Sequence, residues 1–200
     1  MQADPPREIF IFPLNTVLYP GGLLPLKVFE QRYIDMTKAC LRDGLPFGVC
    51  LIREGREVGT AAVPEEVGCL ATIEHWDMPQ LGVFHLVARG GERFRIRESR
   101  VAANHLISAT VDPVAADSGA DAVDDLCRKV LAAVIEKLGI ERFPAARLDD
   151  AVWVGFRLAE VLPLPSSEKQ ALLEMMDAGA RLKRLRGLLE RQGLTAPDGA

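Results

Sequence analysis

The chain has 200 residues, the size of one full domain or of two small ones. Hydrophobic residues make up 48% of the chain and charged residues 26%, which excludes a disordered chain, a collagen-like repeat and a coiled-coil rod. A net charge of −4 gives no general attraction to nucleic acid. No apolar run approaches the roughly 18 residues that span a bilayer, and the amino end lacks the basic and apolar regions of a secretory signal. We therefore expect a folded, cytoplasmic protein that does not engage membranes.

The first half of the chain has the pattern of a β-rich domain. Short apolar runs are separated by glycine and proline, as in small barrels and sandwiches. Pro25 interrupts the second run and favours an edge strand or a bend, because proline cannot donate to a central ladder. Gly82 and the pair Gly90 and Gly91 are interpreted as hairpin turns. The predicted strands cover residues 9–12, 23–28, 47–52, 67–73, 83–88, 94–98 and 106–111.

Helical periodicity appears once within this half and then throughout the second half. One inserted helix is predicted over residues 30–41, with Gly44 as its C-terminal cap. Later helices are predicted over 123–138 and 149–162, from Ser167 onward, and along the leucines between 182 and 189. Asp121 and the spacing of Ser167 and Gln170 are the predicted start signals of the first and third of these helices.

These patterns predict an α+β fold, in which a β-rich lobe with one inserted helix precedes an α-helical bundle. The segment between the two parts contains proline, serine and glycine, which is typical of a linker. We expect the β-rich lobe at 9–112, the linker at 113–119, the helical bundle at 120–192, and tails at 1–8 and 193–200.

Residues that carry chemistry are few and scattered. The cysteines, Cys40, Cys50, Cys69 and Cys127, form no Cys-x-x-Cys pair and do not cluster with histidine, so no zinc site is predicted. The sequence has no Gly-x-Ser-x-Gly nucleophile motif and no Walker motif for ATP. We expect no catalytic residue, no metal and no cofactor, with buried thiols in a reducing cytoplasm. A hydrolase that pairs Cys50 or Cys69 with a histidine remains an alternative.

Two basic stretches leave binding alternatives open. In the segment from Arg89 to Arg100, the residues Arg93, Arg95 and Arg97 alternate with apolar ones, so they share a strand face that could contact phosphates. Two glutamates dilute that charge, and we prefer a solvated strand face. The last helix, around 181–191, is basic and amphipathic. We expect its leucines to cover the preceding acidic helices and its arginines to neutralise them, with membrane or partner binding as the alternative.

The opening of the chain carries a family signature. The run from Phe12 to Leu26, which contains Pro20-Gly21-Gly22, is followed by Phe29-Glu30-Gln31-Arg32-Tyr33. Further pieces follow in family order at 47–49, 67–73, 90–96, 162–163, 168–174 and 181–182. With this ordered set, over roughly residues 9–192, the chain resembles the amino-terminal domain of ATP-dependent Lon proteases. It is most similar to stand-alone bacterial proteins built from that domain, and the substrate receptor cereblon has a similar module.

The resemblance implies a PUA-like β lobe with a helical bundle, and a role in polypeptide recognition. Lon's ATPase and peptidase modules have no counterpart in these residues. Strand edges and apolar grooves can take an extended peptide. We therefore expect a non-enzymatic module that binds unfolded or partner polypeptides; RNA binding by the PUA-like lobe is the alternative. The predicted peptide-binding residues, for which core packing is the competing interpretation, are Leu18, Tyr19, Phe29, Tyr33 and Trp76.

Overall fold

The computed structural model describes residues 7–119, 122–143 and 145–194. The chain divides into two compact units, with the boundary between Val114 and Ala115. Asp121, predicted as a helix cap, lies outside the described residues, as does most of the two predicted tails. No helix in the described ranges is both long and apolar enough to cross a bilayer.

Most strands of the first unit close into a barrel. The strands β1, β7, β6, β5 and β3 are joined edge to edge in that order, and parallel pairing of β1 with β3 completes the ring. Outside the ring, β4 adds to β3 and β2 adds to β6. The elements are β1 (Arg7–Leu14), β2 (Leu23–Val28), α1 (Gln31–Asp43), β3 (Phe47–Glu54), β4 (Val63–Pro64), β5 (Val67–Gln80), β6 (Val83–Val101) and β7 (Ile107–Pro113). The predicted α+β fold, with one helix inserted among the strands, is confirmed.

Side chains of the barrel strands alternate between two apolar cores, because successive residues of a strand point to opposite faces. Ile11 and Phe94 belong to the cluster inside the ring, to which all of its strands contribute. Phe12 and Leu14 lie on the outer face, in a second cluster that α1 covers with residues such as Met36. The helix ends as predicted: Gly44 has a φ of 64° and its N–H donates to the Cys40 carbonyl.

The glycine pair that we interpreted as a turn lies inside a continuous strand. β6 runs through Gly90 and Gly91 without interruption, so the separate strands predicted at 83–88 and 94–98 are one element. The hairpin turn between β5 and β6 lies at Gly82 alone, where φ is 81°. Gly90 is needed for a different reason: its α-carbon lies against the main chain of Tyr19, and a side chain would overlap that carbonyl oxygen.

Three of the α-helices described in the second unit begin at aspartates. Asp124, Asp150 and Asp177 each accept a hydrogen bond from the backbone N–H three residues later, the standard N-cap contact. The capping box predicted from Ser167 and Gln170 does not form, because the third helix begins one residue earlier and Pro165 occupies its N-cap position. The helices are α2 (Asp125–Leu138), α3 (Ala151–Val161), α4 (Ser166–Glu174) and α5 (Ala178–Arg191), with a single 3-10 turn at Ile140–Arg142.

Arginines of the basic helix α5 pair with carboxylates of its own unit. Leu182, Leu185 and Leu189 are buried, as the amphipathic pattern predicted. Arg184 forms a two-pronged pair with Glu168 at 2.6 and 2.8 Å. Arg186 lies 3.0 Å from Asp124 and 2.8 Å from Glu190.

Arg181, at the start of α5, is fully buried rather than exposed on the basic face. Its Nε donates to the Leu172 carbonyl at 3.0 Å, its guanidinium lies 4.0 Å from the centre of the Phe156 ring, and it pairs with Asp117. Ser118, next in the segment predicted as a linker, donates its N–H to the Met176 carbonyl at 2.9 Å. The end of that segment is therefore bound into the helical unit.

Candidate functional site

The strand β2 presents an unpaired edge. It pairs with β6 through the register Leu23–Arg89 to Val28–Phe84, and among the described residues no other strand pairs with it. Pro25 lies in the middle of this strand, and its presence there is explained by the edge position that the sequence predicted. A free strand edge exposes N–H and C=O groups that can pair with another polypeptide.

A cavity of about 240 Å³ lies beside this edge. Leu24, Pro25 and Phe29 line it from the β2 side, Tyr33 lines it from α1, and Val58 closes it from the loop after β3. The Phe29 side chain is 54% exposed and Val58 is 57% exposed, so the cavity has half-exposed apolar walls. Charged side chains also line it, so exposed apolar groups lie beside polar ones, a combination typical of binding sites.

The floor of the cavity is aromatic. The ring of Tyr33 stacks on that of Phe12, with 4.0 Å between ring centres. The guanidinium of Arg32 lies 4.6 Å from the centre of the Tyr33 ring. Burial raises the pKa of Tyr33, against the lowering effect of Arg32, so the phenol stays neutral at physiological pH.

Arg32 also anchors the loop that forms the far wall. It is buried and donates to the His105 carbonyl at 3.1 Å, to the Glu30 carboxylate at 3.1 Å and to the Glu57 carbonyl at 3.4 Å. The Glu30 carboxylate also accepts from the N–H of Gly59 at 3.3 Å. These contacts on both sides of Val58 keep the wall opposite Phe29, which preorganises the cavity.

The structure separates the five residues that the sequence predicted for peptide binding. Phe29 and Tyr33 line the cavity. Leu18 and Tyr19 are core residues, 4% and 0% exposed. Trp76 is 55% exposed on the β5–β6 hairpin, where its ring centre lies 5.8 Å from that of Phe84, and it does not line the cavity.

Sequence reasoning missed the loop that completes the site. Val58 and Arg32 were not selected, although Arg32 lies within the family signature between Phe29 and Tyr33. Nothing local distinguishes Val58 from any exposed valine, because its role depends on the approach of its loop to β2. The available signal was Pro25, which marks the adjoining strand as an edge.

A second, larger cleft lies elsewhere on the β unit. It has a volume of about 650 Å³ and lies between the start of β1, the end of α1 and the loop at Leu45. Leu45 is 60% exposed at this cleft. The charged groups at its rim are paired within the unit, Arg42 with Asp43 and Arg100 with Glu8.

Several arginines of the β6 segment are solvent-exposed and pair with carboxylates. Arg95 lies 3.2 Å from Glu66, and Arg97 lies 2.7 Å from Asp112. Arg89 pairs with Glu74 and Arg100 with Glu8. The prediction that Arg93 shares an exposed face with Arg95 and Arg97 is wrong, because Arg93 is buried, 4% exposed. Pairing of this kind removes most of the positive potential that a phosphate backbone requires.

The cysteines lie in surroundings that suppress thiolate chemistry. Cys40, Cys50, Cys69 and Cys127 are all buried. Burial raises the pKa of Cys40 to about 11 and that of Cys127 to about 12, the opposite of the lowered pKa that a nucleophilic cysteine needs. The Cys69 thiol lies 3.3 Å from the Gly91 carbonyl, a structural contact. Among the described residues no His, Cys, Asp and Glu side chains group as metal ligands would.

Comparisons with known proteins agree with the architecture. The family model described as the ATP-dependent protease La (LON) substrate-binding domain matches residues 8–191. The chain is 32% identical to Lon protease 2 of Myxococcus xanthus, over 96% of this chain and 24% of that protein. It is 31% identical to the Lon protease of Anaeromyxobacter dehalogenans, again over 96% of this chain and 24% of that protein. The chain thus spans about a quarter of the length of these curated relatives, and the match covers their substrate-binding domain and neither the ATPase nor the protease part.

Solved structures match over nearly the whole chain. A Lon N-terminal domain protein from Xanthomonas campestris superposes with a TM-score of 0.72 at 39% identity, covering 90% of this chain and 96% of that one. The N-terminal domain of a Mycobacterium avium complex Lon protease, 19% identical, superposes with a TM-score of 0.68 over 92% of this chain and 98% of that one, and shares its fold. On the family model, the relatives and these structures together, the chain belongs to the Lon substrate-binding domain family.

Proposed function

We propose that this chain is a non-enzymatic recognition module that binds extended segments of unfolded or partner polypeptides at the cavity beside β2. The observation that carries the proposal is the half-exposed Phe29, placed next to an unpaired strand edge in a chain of the Lon substrate-binding family. We further propose that it acts in the cytoplasm, where reducing conditions keep its buried cysteines as free thiols.

The size and lining of the cavity suit a side chain of a polypeptide. Sites for drug-sized ligands and cofactors usually span roughly 300–1,000 Å³. At about 240 Å³, this cavity is smaller and is open along the strand edge. Phe29, Tyr33 and Val58 offer apolar contact to one side chain, while the main chain of the ligand passes over β2. Burial of apolar surface at this cavity would be the main favourable contribution to binding, partly offset by the entropy lost on association.

The test is a titration with a carboxymethylated, permanently unfolded polypeptide, followed by fluorescence anisotropy. We expect Phe29→Ser to weaken binding by roughly tenfold or more, since truncation of an aromatic anchor is among the costliest changes in an interface. Because the Phe29 side chain is 54% exposed, the fold should tolerate this change.

Two matched variants serve as controls. Val101→Ser removes an apolar side chain that is 57% exposed at the far end of β6, and it should leave binding unchanged. Leu45→Ser removes an exposed apolar side chain at the larger cleft, and it should also leave binding unchanged. If Leu45→Ser weakens binding and Phe29→Ser does not, the β2 site is wrong. If the wild-type chain does not bind unfolded polypeptide at all, the proposed function fails.

A further inference from the structure

The pairing of β2 with β6 determines which main-chain groups of β2 are free. The Gly90 N–H donates to the Gly22 carbonyl at 2.8 Å, and the Gly90 carbonyl accepts from the Gly21 N–H at 2.7 Å, so Gly21 and Gly22 form a bulge opposite Gly90 and the ladder starts at a bonded position. Bonded pairs alternate with non-bonded pairs along an antiparallel ladder. The register continues without a shift from Leu23–Arg89 to Val28–Phe84. Leu24, Leu26 and Val28 therefore bond to β6, whereas Leu23, Pro25 and Lys27 turn their main-chain groups to the open edge.

The open edge offers a defined set of donors and acceptors. The N–H groups of Leu23 and Lys27 and the carbonyls of Leu23, Pro25 and Lys27 face outward, and among the described residues no strand pairs with them. Pro25 has no N–H. Because the main chain at this position faces away from β6, the β2–β6 ladder loses no hydrogen bond, but the open edge lacks its central donor. The cavity with Phe29 and Tyr33 lies directly beside this row.

Pro25 and Lys27 also disfavour pairing between two copies of this strand. An antiparallel β2–β2 pair would bring two prolines and two lysine side chains together in one short ladder, and edge strands use both residue types to prevent self-association. A strand from another polypeptide, with all of its N–H groups and with no positive charge opposite Lys27, lacks both the missing donors and the charge repulsion of such a pair. The edge therefore suits a heterologous extended polypeptide better than a second copy of this chain.

We propose that β2 takes its polypeptide ligand as an added β-strand, hydrogen-bonded to Leu23, Pro25 and Lys27, with alternate ligand side chains directed over the Phe29–Tyr33 cavity. This rests on the proposed function and specifies its mode: the ligand is recognised through its extended main chain and through alternate apolar residues. Proline-containing segments are poor ligands, because each proline lacks an N–H that the edge can accept.

The decisive probe is a fluorescein-labelled ten-residue peptide of alternating valine and threonine, made also with N-methyl groups on every valine or on every threonine. In a strand, successive N–H groups point to opposite edges. With valines over the cavity, an antiparallel ligand donates to β2 from its threonines and a parallel ligand donates from its valines. One N-methylated peptide should therefore bind at least about tenfold more weakly than the parent, and the other within about threefold of it.

Variants of the edge test the same bonds from the protein side. Lys27→Pro removes an outward N–H and should bind the parent peptide roughly tenfold more weakly than Lys27→Ala, which loses the same side chain but keeps the N–H. Pro25→Ala supplies the missing donor and should tighten binding by roughly twofold to tenfold. This gain does not depend on whether the Lys27→Pro chain folds. Hydrogen exchange should slow at the amides of Leu23 and Lys27 when the peptide binds.

Each outcome separates the two proposals. If the parent and both N-methylated peptides bind equally, the edge is not used and the added-strand mode is wrong, while the proposed function stands. If the Leu23 and Lys27 amides are already protected in a dimer without peptide, the occupant is a second copy and the inference is overturned. If neither the peptide nor the carboxymethylated polypeptide binds the wild-type chain, both proposals fail.

Discussion

The backbone of Gly90 lies against the carbonyl group of Tyr19, so closely that a methyl group on the Gly90 α-carbon would overlap the oxygen. Two hydrogen bonds hold this crossing: Gly21 N–H donates to the Gly90 carbonyl at 2.7 Å, and Gly90 N–H donates to the Gly22 carbonyl at 2.8 Å. Tyr19 itself is fully buried. The contact therefore fixes where β2 starts along β6, and with it which groups of β2 face the open edge.

Gly90→Ala should destabilise the β unit strongly. The obstacle is main chain, which cannot move aside as a flexible side chain can, so we expect a loss of at least about 2 kcal/mol of unfolding free energy. Gly91→Ala is the matched control, because a side chain there would meet Leu70 at 3.7 Å, an ordinary contact. Urea denaturation followed by near-ultraviolet circular dichroism measures the difference. Equal stability of the two variants would contradict the close approach.

Arg181→Met should unfold the helical unit more easily than Arg184→Met. Arg181 and Asp117 are 0% and 1% exposed, and removing one partner of a buried ion pair typically costs about 3–5 kcal/mol. Arg184 pairs with Glu168 at the surface, where such pairs contribute about 0–1 kcal/mol. The fluorescence of Trp153 in a Trp76→Phe background reports on the helical unit alone. A similar loss from both substitutions would show that the Asp117 pair is not specially buried.

The Glu168–Arg184 pair should make the helical unit sensitive to acid. The two-pronged hydrogen bond from Arg184 lowers the pKa of Glu168 below its ordinary value of about 4.3. The unfolded chain then takes up this proton at a higher pH than the folded chain, so the contribution is complete above the ordinary pKa and is lost as the pH falls through the lowered one. With Glu168→Gln, the unfolding free energy monitored by Trp153 should fall less steeply as the pH is lowered through this acid range. At neutral pH the unfolding free energy should be nearly the same as in the wild type. An unchanged pH profile would contradict the lowered pKa.

The thiols should be unreactive while the chain is folded. Cys40 and Cys127, with pKa values raised by burial to about 11 and about 12, hold almost no thiolate at pH 8, and Cys50 and Cys69 are likewise buried. A disulfide reagent for thiols should label the native protein at a small fraction of the rate seen in denaturant. Rapid reaction of one thiol in the native protein would restore the alternative of a cysteine nucleophile.

Several local features of the fold could be predicted from neighbouring residues. Gly44 ends α1 because a left-handed residue there closes the last turn, and α3 stops before Pro163 because the residue before a proline avoids helical angles. Pro25 marked β2 as an edge strand because a missing N–H is tolerated only there. Each of these inferences needs only the residue and its immediate neighbours.

The candidate site could not be predicted from each residue and its neighbours in the sequence. Phe29 and Tyr33 line the cavity. Leu18 and Tyr19 belong to the same signature, but they are buried in the core and do not line it. Val58 completes the cavity only because Arg32 and Glu30 hold its loop in place. No pattern of the sequence distinguishes an apolar residue that packs in the core from one that lines a groove.

From the sequence alone, the ordered motifs indicated the family by resemblance. Periodicity, caps and turn chemistry, which act over a few residues, predicted most of the strands and helices, apart from β4 and the continuity of β6. The sequence also contains no recognisable nucleophile or nucleotide motif. The tertiary structure decided the closure of the barrel, the continuity of β6 through Gly90, the burial of Arg181 and the cavity beside the β2 edge. These features depend on which distant segments meet. Gly90, which we interpreted as a turn, must be glycine because its α-carbon lies against the Tyr19 carbonyl, and the edge of β2 is free because among the described residues no other strand pairs with it.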